Sequence, residues 1–369
     1  MFRVTTVDLK KKSSICLLRM TRQHPDIVTP DLMLPILRGL MKKFHLGLLT
    51  SVTSLLLGLI QMENADLSKF EMFMPSVLHN LFQMVVAYRS TPQMVHYEYY
   101  GVPNPWLQIM LLRYLRYFPL PDDAALRARW LEVVRHLLRE NRKVTDESSR
   151  FILAKNAVLM AVLSLAGKLD DPIDLKRCMA LLVEFMSSDS DVMTILAVEK
   201  LHLILQQNPG MHKLAAPQYG KISSLLDGTD SPTQIKLVEI LFMLCSSDYT
   251  NEIIHVLFAE LSKAGCDLSA TIINFLVVLA DRALTSNIVW YAEVMIRLLC
   301  IKGDLVPDYD LQQFIKTVIA TEDIQVMAAK LLIQFASDTT TPTNNGLTLA
   351  CAMILRHCGE LIANDLEGG

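Results

Sequence analysis

The chain has 369 residues, of which 51% are hydrophobic, 7% aromatic and 20% charged, and its abundant Leu and Met with sparse Gly and Pro favour helices over strands. The longest uncharged stretches, 46–62 and 72–88, reach at most the shortest workable membrane span, which argues against a membrane-spanning protein. Residues 1–150 have 20 Lys and Arg against 13 Asp and Glu, whereas residues 151–369 have 15 Lys and Arg against 25 Asp and Glu. The first part is therefore basic and the second part acidic. This asymmetry indicates either two ends that meet different partners or an ordinary scatter of solvated faces.

The first predicted element is an amphipathic helix that begins near Lys10. Its apolar side is expected to hold Ile15, Leu17, Leu18 and Met20. Three consecutive lysines, Lys10 to Lys12, are a candidate contact for anionic lipid or nucleic acid, but three lysines fall short of the usual polybasic cluster. We interpret them as the solvated start of the helix and predict no nucleic-acid partner.

Two further helices are predicted over residues 45–57 and 104–118. In the second, Asn104 is a plausible N-cap and Pro105 occupies the first helical position, where a missing amide hydrogen costs nothing. Turn residues such as those at 119–123 end these helices without adding strands, and no alternating run bounded by hairpin turns is found. The sequence therefore predicts an all-helical chain with no sheet.

Three tyrosines lie directly before the helix at 104–118 and form a candidate contact site. The predicted partner-contact residues are Tyr97, Tyr99, Tyr100, Arg113 and Arg116. Exposed aromatic and Arg side chains are enriched where proteins bind one another. The alternative interpretation is that the tyrosines simply cover the following helix, and the sequence leaves both interpretations open.

A helical segment recurs about every 40 residues, at 191–201, 231–241, 266–276 and 322–332. In the first copy the polar residues Glu199, His202 and Gln206 form one narrow stripe at helical spacing. The expected buried side of that copy is Val192, Ile195, Val198, Leu201 and Leu205. A helix this apolar needs cover on most of its circumference, which the neighbouring repeats of a helical-repeat solenoid supply.

The end of the chain has a polar stretch at 338–346, which is predicted to be a flexible loop before a last helix at 347–363. The seven cysteines show no CxxC pair and are expected to be buried free thiols. They are Cys16, Cys178, Cys245, Cys266, Cys300, Cys351 and Cys358. This usage is typical of a reducing compartment.

Catalytic and metal-binding motifs are not found. Glu252 and His255 have the spacing of a di-iron ligand pair, but no second copy follows, so both are expected to face solvent. His357 and Cys358 are adjacent, which points their side chains about 100° apart on a helix and prevents a base–nucleophile pair. The sequence predicts neither an enzyme nor a site for a metal or cofactor.

Several segments share one family pattern. They are KKSSICLLR at 11–19, the run at 45–55, YYGVPNPWL at 99–107 with LLRYL at 111–115, and the runs at 154–159 and 290–296. These segments resemble adaptin large chains, and the resemblance covers about residues 10–365. The Trp at position 106, rather than Phe, points to the alpha branch of that family.

The resemblance implies a right-handed superhelix of HEAT/armadillo-type helical pairs over residues 1–369. It implies a scaffold subunit that joins a small sigma-type chain, a medium mu chain and a second large beta chain. The complex would be cytoplasmic, peripheral on the plasma membrane at clathrin-coated pits. The N-terminal part of the trunk, with its lipid-binding lysines, and the hinge and appendage are expected to have no counterpart here. The alternatives are another coat large chain, of gamma-adaptin or coatomer type, or a HEAT-type nuclear transport receptor.

Overall fold

The computed structural model describes most of the chain and arranges it in two compact units, Met1–Asn208 and Pro209–Gly369. The described residues are 6–25, 30–63, 65–87, 96–139, 149–188, 190–245, 248–337 and 344–366. That the whole chain is a single repeat array stays a prediction.

Helices dominate the first unit. Its described helices are α1 (Val7–Gln23), α2 (Pro30–Met41), α3 (Leu46–Ile60), α4 (Met74–Val85), α5 (Pro105–Arg116), α6 (Ala124–Arg139), α7 (Ser149–Leu163), α8 (Pro172–Met186) and α9 (Asp191–Gln207). Short 3-10 helices precede α4 at Leu67–Phe73 and follow α7 at Ala166–Lys168. Two short strands, β1 (Glu98–Tyr99) and β2 (Val102–Pro103), lie before α5.

The helices of the first unit pack in two rows. In one row α1 contacts α3, α3 contacts α5, α5 contacts α7 and α7 contacts α9, while in the other α4 contacts α6 and α6 contacts α8. Most of these helices therefore pack on the next helix but one, and α2–α3, α4–α5, α6–α7 and α8–α9 also pack on each other as neighbours in sequence. This nearest-neighbour packing is what stacked helical pairs produce.

The second unit is also helical over its described residues. Its helices are α10 (His212–Ala215), α11 (Tyr219–Ser224), α12 (Ser231–Leu244), α13 (Thr250–Lys263), α14 (Cys266–Ala283), α15 (Ile288–Lys302), α16 (Asp308–Ala320), α17 (Glu322–Ser337) and α18 (Asn345–Leu366). Short 3-10 helices lie at Pro209–Met211, Ala216–Gln218, Leu226–Gly228 and Gly303–Leu305. The same stacking recurs, because α12 contacts α14, α13 contacts α15, α15 contacts α17 and α16 contacts α18.

The predicted repeat copies begin where helices begin. The helices α9, α12, α14 and α17 start at residues 191, 231, 266 and 322, as the superposed segments predicted. The eighth residue of each copy, Val198, Val238, Ile273 and Ala329, is at most 1% exposed. The predicted all-helical repeat class is therefore confirmed, and its core lies at equivalent positions along each of these helices.

Of the predicted buried side of α9, Val192 is wrong and Ile195 is only half-buried. Val192 is 65% exposed, because it lies nine residues before the buried Leu201 and a helix turns about 100° per residue, which places the two on opposite sides. The buried face instead runs through Thr194, Ala197 and Ile204. An apolar side chain at a helix end does not by itself locate the buried face.

The apolar side predicted for α1 is also corrected, since Ile15 is exposed and Leu17 alone of the four named residues is fully buried. The face against α3 includes Ser14 and Thr21, whose hydroxyls donate to the carbonyls of Lys10 and Leu17 at 2.9 Å. Because these intrahelical bonds satisfy the hydroxyls, small polar residues can be buried and the two helices can approach closely.

The prediction of buried cysteines holds for four positions, fails for two and is met only in part at Cys351. Cys16 and Cys266 are exposed, Cys351 is half-buried, and Cys178, Cys245, Cys300 and Cys358 are buried. Cys266 is the first residue of α14.

The predicted absence of any sheet needs a correction, because β1 and β2 form an antiparallel pair with Tyr99 opposite Val102.

Near the chain end, residues 338–343 of the predicted loop lie outside the described residues. Asn344 is buried, its Nδ2 donates to the carbonyl of Leu299 at 2.8 Å, and its Oδ1 accepts from the amide of Leu347 at 2.7 Å. The helix α18 thus begins earlier than predicted, and an anchored Asn precedes it.

By length and composition the segment Arg150–Lys168, which includes all of α7 except its first residue, could cross a membrane. Of its apolar window, 44% is buried inside the protein. The uncharged stretches had indicated no such segment. Core helices of soluble proteins pass the same test, and α7 is packed against α5 and α9. The segment is therefore weak evidence for a membrane span.

Candidate partner-binding surface

The strands β1 and β2 are joined by a two-residue turn of Tyr100 and Gly101. Both residues have positive φ, 45° for Tyr100 and 83° for Gly101, as the tightest hairpin turns require. Gly adopts this conformation freely, whereas a Tyr there is uncommon. A Cβ at position 101 would also lie 3.0 Å from the ring of Phe151, so the turn is held close to α7.

Asn104 joins this hairpin to α5. Its Oδ1 accepts from the amide of Leu107 at 3.3 Å, which is the predicted N-cap, and Pro105 is the first helical residue. The amide of Asn104 donates to the carbonyl of Tyr97 at 2.9 Å. The hairpin and the start of the helix are thus fixed to each other by side-chain and backbone hydrogen bonds.

Three aromatic side chains cluster on the outside of this junction, and we call Tyr99, Tyr100 and Trp106 the aromatic patch. The ring of Tyr99 lies 4.7 Å from that of Tyr100 and 4.6 Å from that of Trp106, both edge to face. All three are exposed, Trp106 by 55%. The Arg150 guanidinium lies 5.2 Å from the centre of the Tyr100 ring and donates to its hydroxyl. Mutual contacts therefore hold a rigid, amphipathic and accessible surface.

Tyr97 faces a different environment from the other two tyrosines. It is half-buried, and its hydroxyl oxygen lies 2.7 Å from where a Cβ on Gly47 of α3 would stand. Lys11 of α1 packs against the same glycine. The structure thus brings Tyr99 and Tyr100 together in the patch and gives Tyr97 an anchoring contact.

The exposed side of α5 extends from the patch to Arg113 and Arg116. Trp106 and Arg113 are seven residues apart, which is about two helical turns and returns to nearly the same side. Arg113 and Arg116 are both exposed. Four of the five predicted contact residues therefore lie on the outer surface of this region. The exposed Trp106 lies on the same side but was not among the predicted residues, although its spacing from Arg113 was a signal in the sequence.

Beside Arg113 and Arg116 lies a cleft formed by α5, α7 and α9, with a volume of about 290 Å³, which we call the basic cleft. Its apolar lining includes Leu112, Met160 and Leu196, and Lys200 of α9 completes its cationic lining. Burial, followed by repulsion from Arg116 and Arg113, lowers the pKa of Lys200, while Glu199 opposes the shift. No Asp or Glu lines the cleft among the residues that the structure describes.

Lys168 stabilises the end of α5 next to this cleft. Its Nζ donates to the carbonyls of Leu115 at 2.8 Å and Arg116 at 2.9 Å, and to that of Phe118. These groups accept at the C-terminus of a helix, where a cation is favoured by the helix dipole. Burial and then repulsion from Arg116 lower the pKa of Lys168 to about 8. Its role is to position α5.

The residues that the sequence offers for chemistry are spread over helix surfaces and cores. Glu252 and His255 are exposed on α13, as expected, and His255 Nδ1 lies 3.3 Å from the Arg297 guanidinium. Cys358 is buried, which raises the pKa of its thiol, whereas His357 is exposed. Within the described ranges, no group of three or more His, Cys, Asp or Glu side chains could hold a metal ion.

Comparison with known proteins gives relatives over nearly the whole chain. The sequence is 28% identical to AP-2 complex subunit alpha-2 of Dictyostelium discoideum over 97% of this chain and 35% of that protein. It is 19% identical to AP-1 complex subunit gamma of the same organism over 97% of this chain and 38% of that protein. The chain thus spans about a third of the length of these relatives. The predicted resemblance to the alpha branch is confirmed.

Among solved structures, yeast importin-beta (Kap95p) superimposes with a TM-score of 0.46 at 12% identity, over 98% of this chain and 51% of that chain. This likeness is too weak to support an argument. The family match is extensive by contrast, because the Adaptin N terminal region matches residues 4–367. The chain belongs to the Adaptin N terminal region family.

Proposed function

We propose that the chain is the scaffold part of a large subunit of a clathrin adaptor complex, acting in endocytosis and vesicle-mediated protein transport. The observation that carries this proposal is the 28% identity to an AP-2 alpha subunit over 97% of the chain. The mechanism is one of shape and surface, because stacked helical pairs present extended faces that hold smaller partners. The proposed site of action is the cytoplasmic face of the plasma membrane at coated pits, reached through the complex.

The proposed partners are a small sigma-type chain, a medium mu chain and a second large beta chain. We assign the sigma-type chain to the basic first part of the molecule and the beta chain to the acidic second part. The aromatic patch with Arg113 and Arg116 is the proposed contact for the sigma-type chain. Rigid aromatic rings and Arg side chains are the groups that most often dominate binding energy at interfaces.

Co-expression tests the proposal. We expect the 369-residue chain to copurify with AP-2 sigma-type, mu and beta chains. A Tyr99→Ala/Trp106→Ala variant should lose the sigma-type chain, whereas Tyr309→Ala, which removes a highly exposed aromatic side chain from the other unit, should retain it. Copurification with gamma-type partners, with coatomer subunits or with a small GTPase in place of these chains would contradict the proposal.

Membrane binding by the isolated chain is expected to be weak. Lys10 and Lys11 are half-buried, and Lys11 pairs with Asp8 at 3.2 Å, so Lys12 is the one lysine of this run that is exposed. Each basic residue near an anionic surface contributes only about 1 kcal/mol, which leaves little attraction here. Flotation with phosphoinositide-containing liposomes at physiological salt should leave the chain in the soluble fraction. Tight flotation together with failure to copurify any adaptor subunit would identify a membrane-binding protein instead.

A further inference from the structure

Two cysteines from separate helices of the second unit lie where α15, α17 and α18 pack together. Cys300 is in the last turn of α15 and is buried, while Cys351 is in the second turn of α18 and is half-buried. The thiol of Cys351 donates to the carbonyl of Leu332 in α17 at 3.9 Å, and α15 contacts both α17 and α18. The function proposed above uses neither thiol.

The end of α15 is fastened to the start of α18. Asn344, directly before α18, donates to the carbonyl of Leu299 in α15 at 2.8 Å. A Cβ at Gly303 would lie 3.2 Å from the amide nitrogen of Leu347, so the two backbones approach closely at this point. A hydrogen bond from a buried side chain and a close backbone contact therefore fix the two helix ends to each other.

This contact explains why the two thiols are neighbours. Cys300 lies three residues before Gly303 and Cys351 lies four residues after Leu347, so each is about one helical turn from the point of contact. Electrostatics agree with this geometry, because burial raises the pKa of Cys300 to about 12 and the Cys351 thiolate adds to the shift. Such repulsion is appreciable only between groups that are close together.

The pair has the arrangement that oxidation by a small peroxide requires. Because Cys351 is only half-buried, its thiolate can be reached by hydrogen peroxide, takes one oxygen atom from it to become a sulfenic acid, and releases hydroxide. The thiolate of Cys300 then attacks the sulfenic sulfur, which forms the S–S bond and releases a second hydroxide. The two thiol protons neutralise these hydroxides, so two thiols and one peroxide give one disulfide and two waters.

We propose that Cys300 and Cys351 are a redox modification site, at which a peroxide oxidises the two thiols to a reversible disulfide that ties α18 to α15. This inference goes beyond the proposed function and does not depend on it. Cys178 and Cys245 are buried as well, but in the part of the chain that the structure describes no second thiol contributes to their raised pKa values. The neighbouring thiol is what sets this site apart.

The rate of the reaction should depend on pH. The pKa values of both Cys300 and Cys351 are raised, mainly by burial, so the reactive thiolate is scarce at neutral pH. Oxidation should therefore be slow at pH 7 and should accelerate by about tenfold per pH unit as the thiolate fraction grows.

The test uses the whole chain with its two exposed thiols removed by Cys16→Ser/Cys266→Ser, which prevents disulfides between molecules. Hydrogen peroxide is the probe, the remaining thiols are alkylated, and the tryptic peptides are analysed by mass spectrometry without reduction. Trypsin places the three cysteines of α15 and α18 in different peptides, which are 298–302 with Cys300, 331–356 with Cys351 and 357–369 with Cys358. We expect the first two peptides to be joined, two hydrogens lighter than their sum, and to separate on reduction with dithiothreitol.

Matched variants distinguish this pair from general oxidation. Cys300→Ser and Cys351→Ser should each abolish the joined peptide, and Cys300→Ala replaces the buried serine if that variant is unfolded. Cys358→Ser, which changes another buried thiol of α18, should leave the yield unchanged. In urea, loop closure favours pairing of Cys351 with Cys358, which is only seven residues away, so the product should change when the chain unfolds.

Hydrogen exchange reports what the disulfide does to the fold. Exchange in α18 should slow several-fold after oxidation and recover after reduction, because the link opposes separation of α18 from α15. Several results would overturn the inference. They are no joined peptide in the folded chain at pH 8, Cys351 joined to Cys358 in the folded chain, the same product distribution in urea, and unchanged exchange in α18 after oxidation.

Discussion

The hairpin with α5 and the helix pair α12 and α14 differ in where their large side chains go. In α12 and α14, Val238 and Ile273 are buried, and Phe242 stacks on Phe275 with ring centres 4.3 Å apart. Near α5, by contrast, Trp106 and two tyrosines cluster on the outside. Apolar and aromatic residues of the first kind stabilise the repeats, and those of the second kind are available for binding.

The difference also concerns the backbone. The helices α12 and α14 use ordinary helical geometry, whereas positive φ occurs at Tyr100, Gly101 and Asn104 beside α5. Unusual backbone conformations persist only where surrounding contacts hold them, and they cluster at functional sites. The comparison therefore assigns fold stability to equivalent positions of the repeats. It is also the reason why we propose recognition at the one described place where strands interrupt the repeat pattern.

The largest expected effect comes from the core of the second unit. Val238→Asp places a carboxylate at a fully buried position, which should lower the free energy of unfolding by about 4 kcal/mol. Because α12 packs on α14, hydrogen exchange should increase in both helices. The matched control is Val278→Asp at an exposed position of α14, which should cost less than about 1 kcal/mol in urea unfolding. Normal protection of residues 231–283 in Val238→Asp would show that the repeat register is wrong.

An intermediate effect is expected at the hairpin turn. Gly101→Val forces a β-branched residue to a φ of 83° and against Phe151, which should cost about 2 kcal/mol. Gly39 lies in α2, and a methyl group added there would meet nothing within 4 Å, so Gly39→Ala should stabilise by about 0.5–1 kcal/mol. Thermal unfolding of both variants measures the contrast. Equal effects would mean that the turn is not held in the described conformation.

A smaller effect is expected at the end of α5. Lys168→Met leaves the carbonyls of Leu115 and Arg116 without this donor and should lower the free energy of unfolding by about 1–2 kcal/mol. The control Lys176→Met, on the exposed side of α8, should be close to neutral.

Burial and then Arg116 lower the pKa of Lys168 from 10.5 to about 8. Between these pH values the unfolded chain binds more protons at this residue. The wild-type chain should therefore gain stability relative to Lys168→Met as pH rises through that window, and urea unfolding across it checks the sign.

Much of the fold could be predicted because local signals and packing agreed. The starts of α9, α12, α14 and α17 coincide with capping or turn residues followed by apolar runs, and both signals act within a single helix. Asn104 and Pro105 began α5 as predicted for the same reason. The hairpin was missed because its turn contains Tyr100 instead of the Asn or Asp that usually marks such turns.

The sequence by itself determined the helical repeat class, the starts of the repeat helices and the resemblance to adaptins, because each depends on spacing and residue type along one segment. Only the tertiary structure decided which side of each helix is buried, as Val192 and Ile15 show. It also decided that Arg113, Arg116 and Lys200 line one cleft, although Lys200 is far from both arginines in the chain. The physical reason is that burial and charge repulsion depend on neighbours from other helices, which no single segment contains.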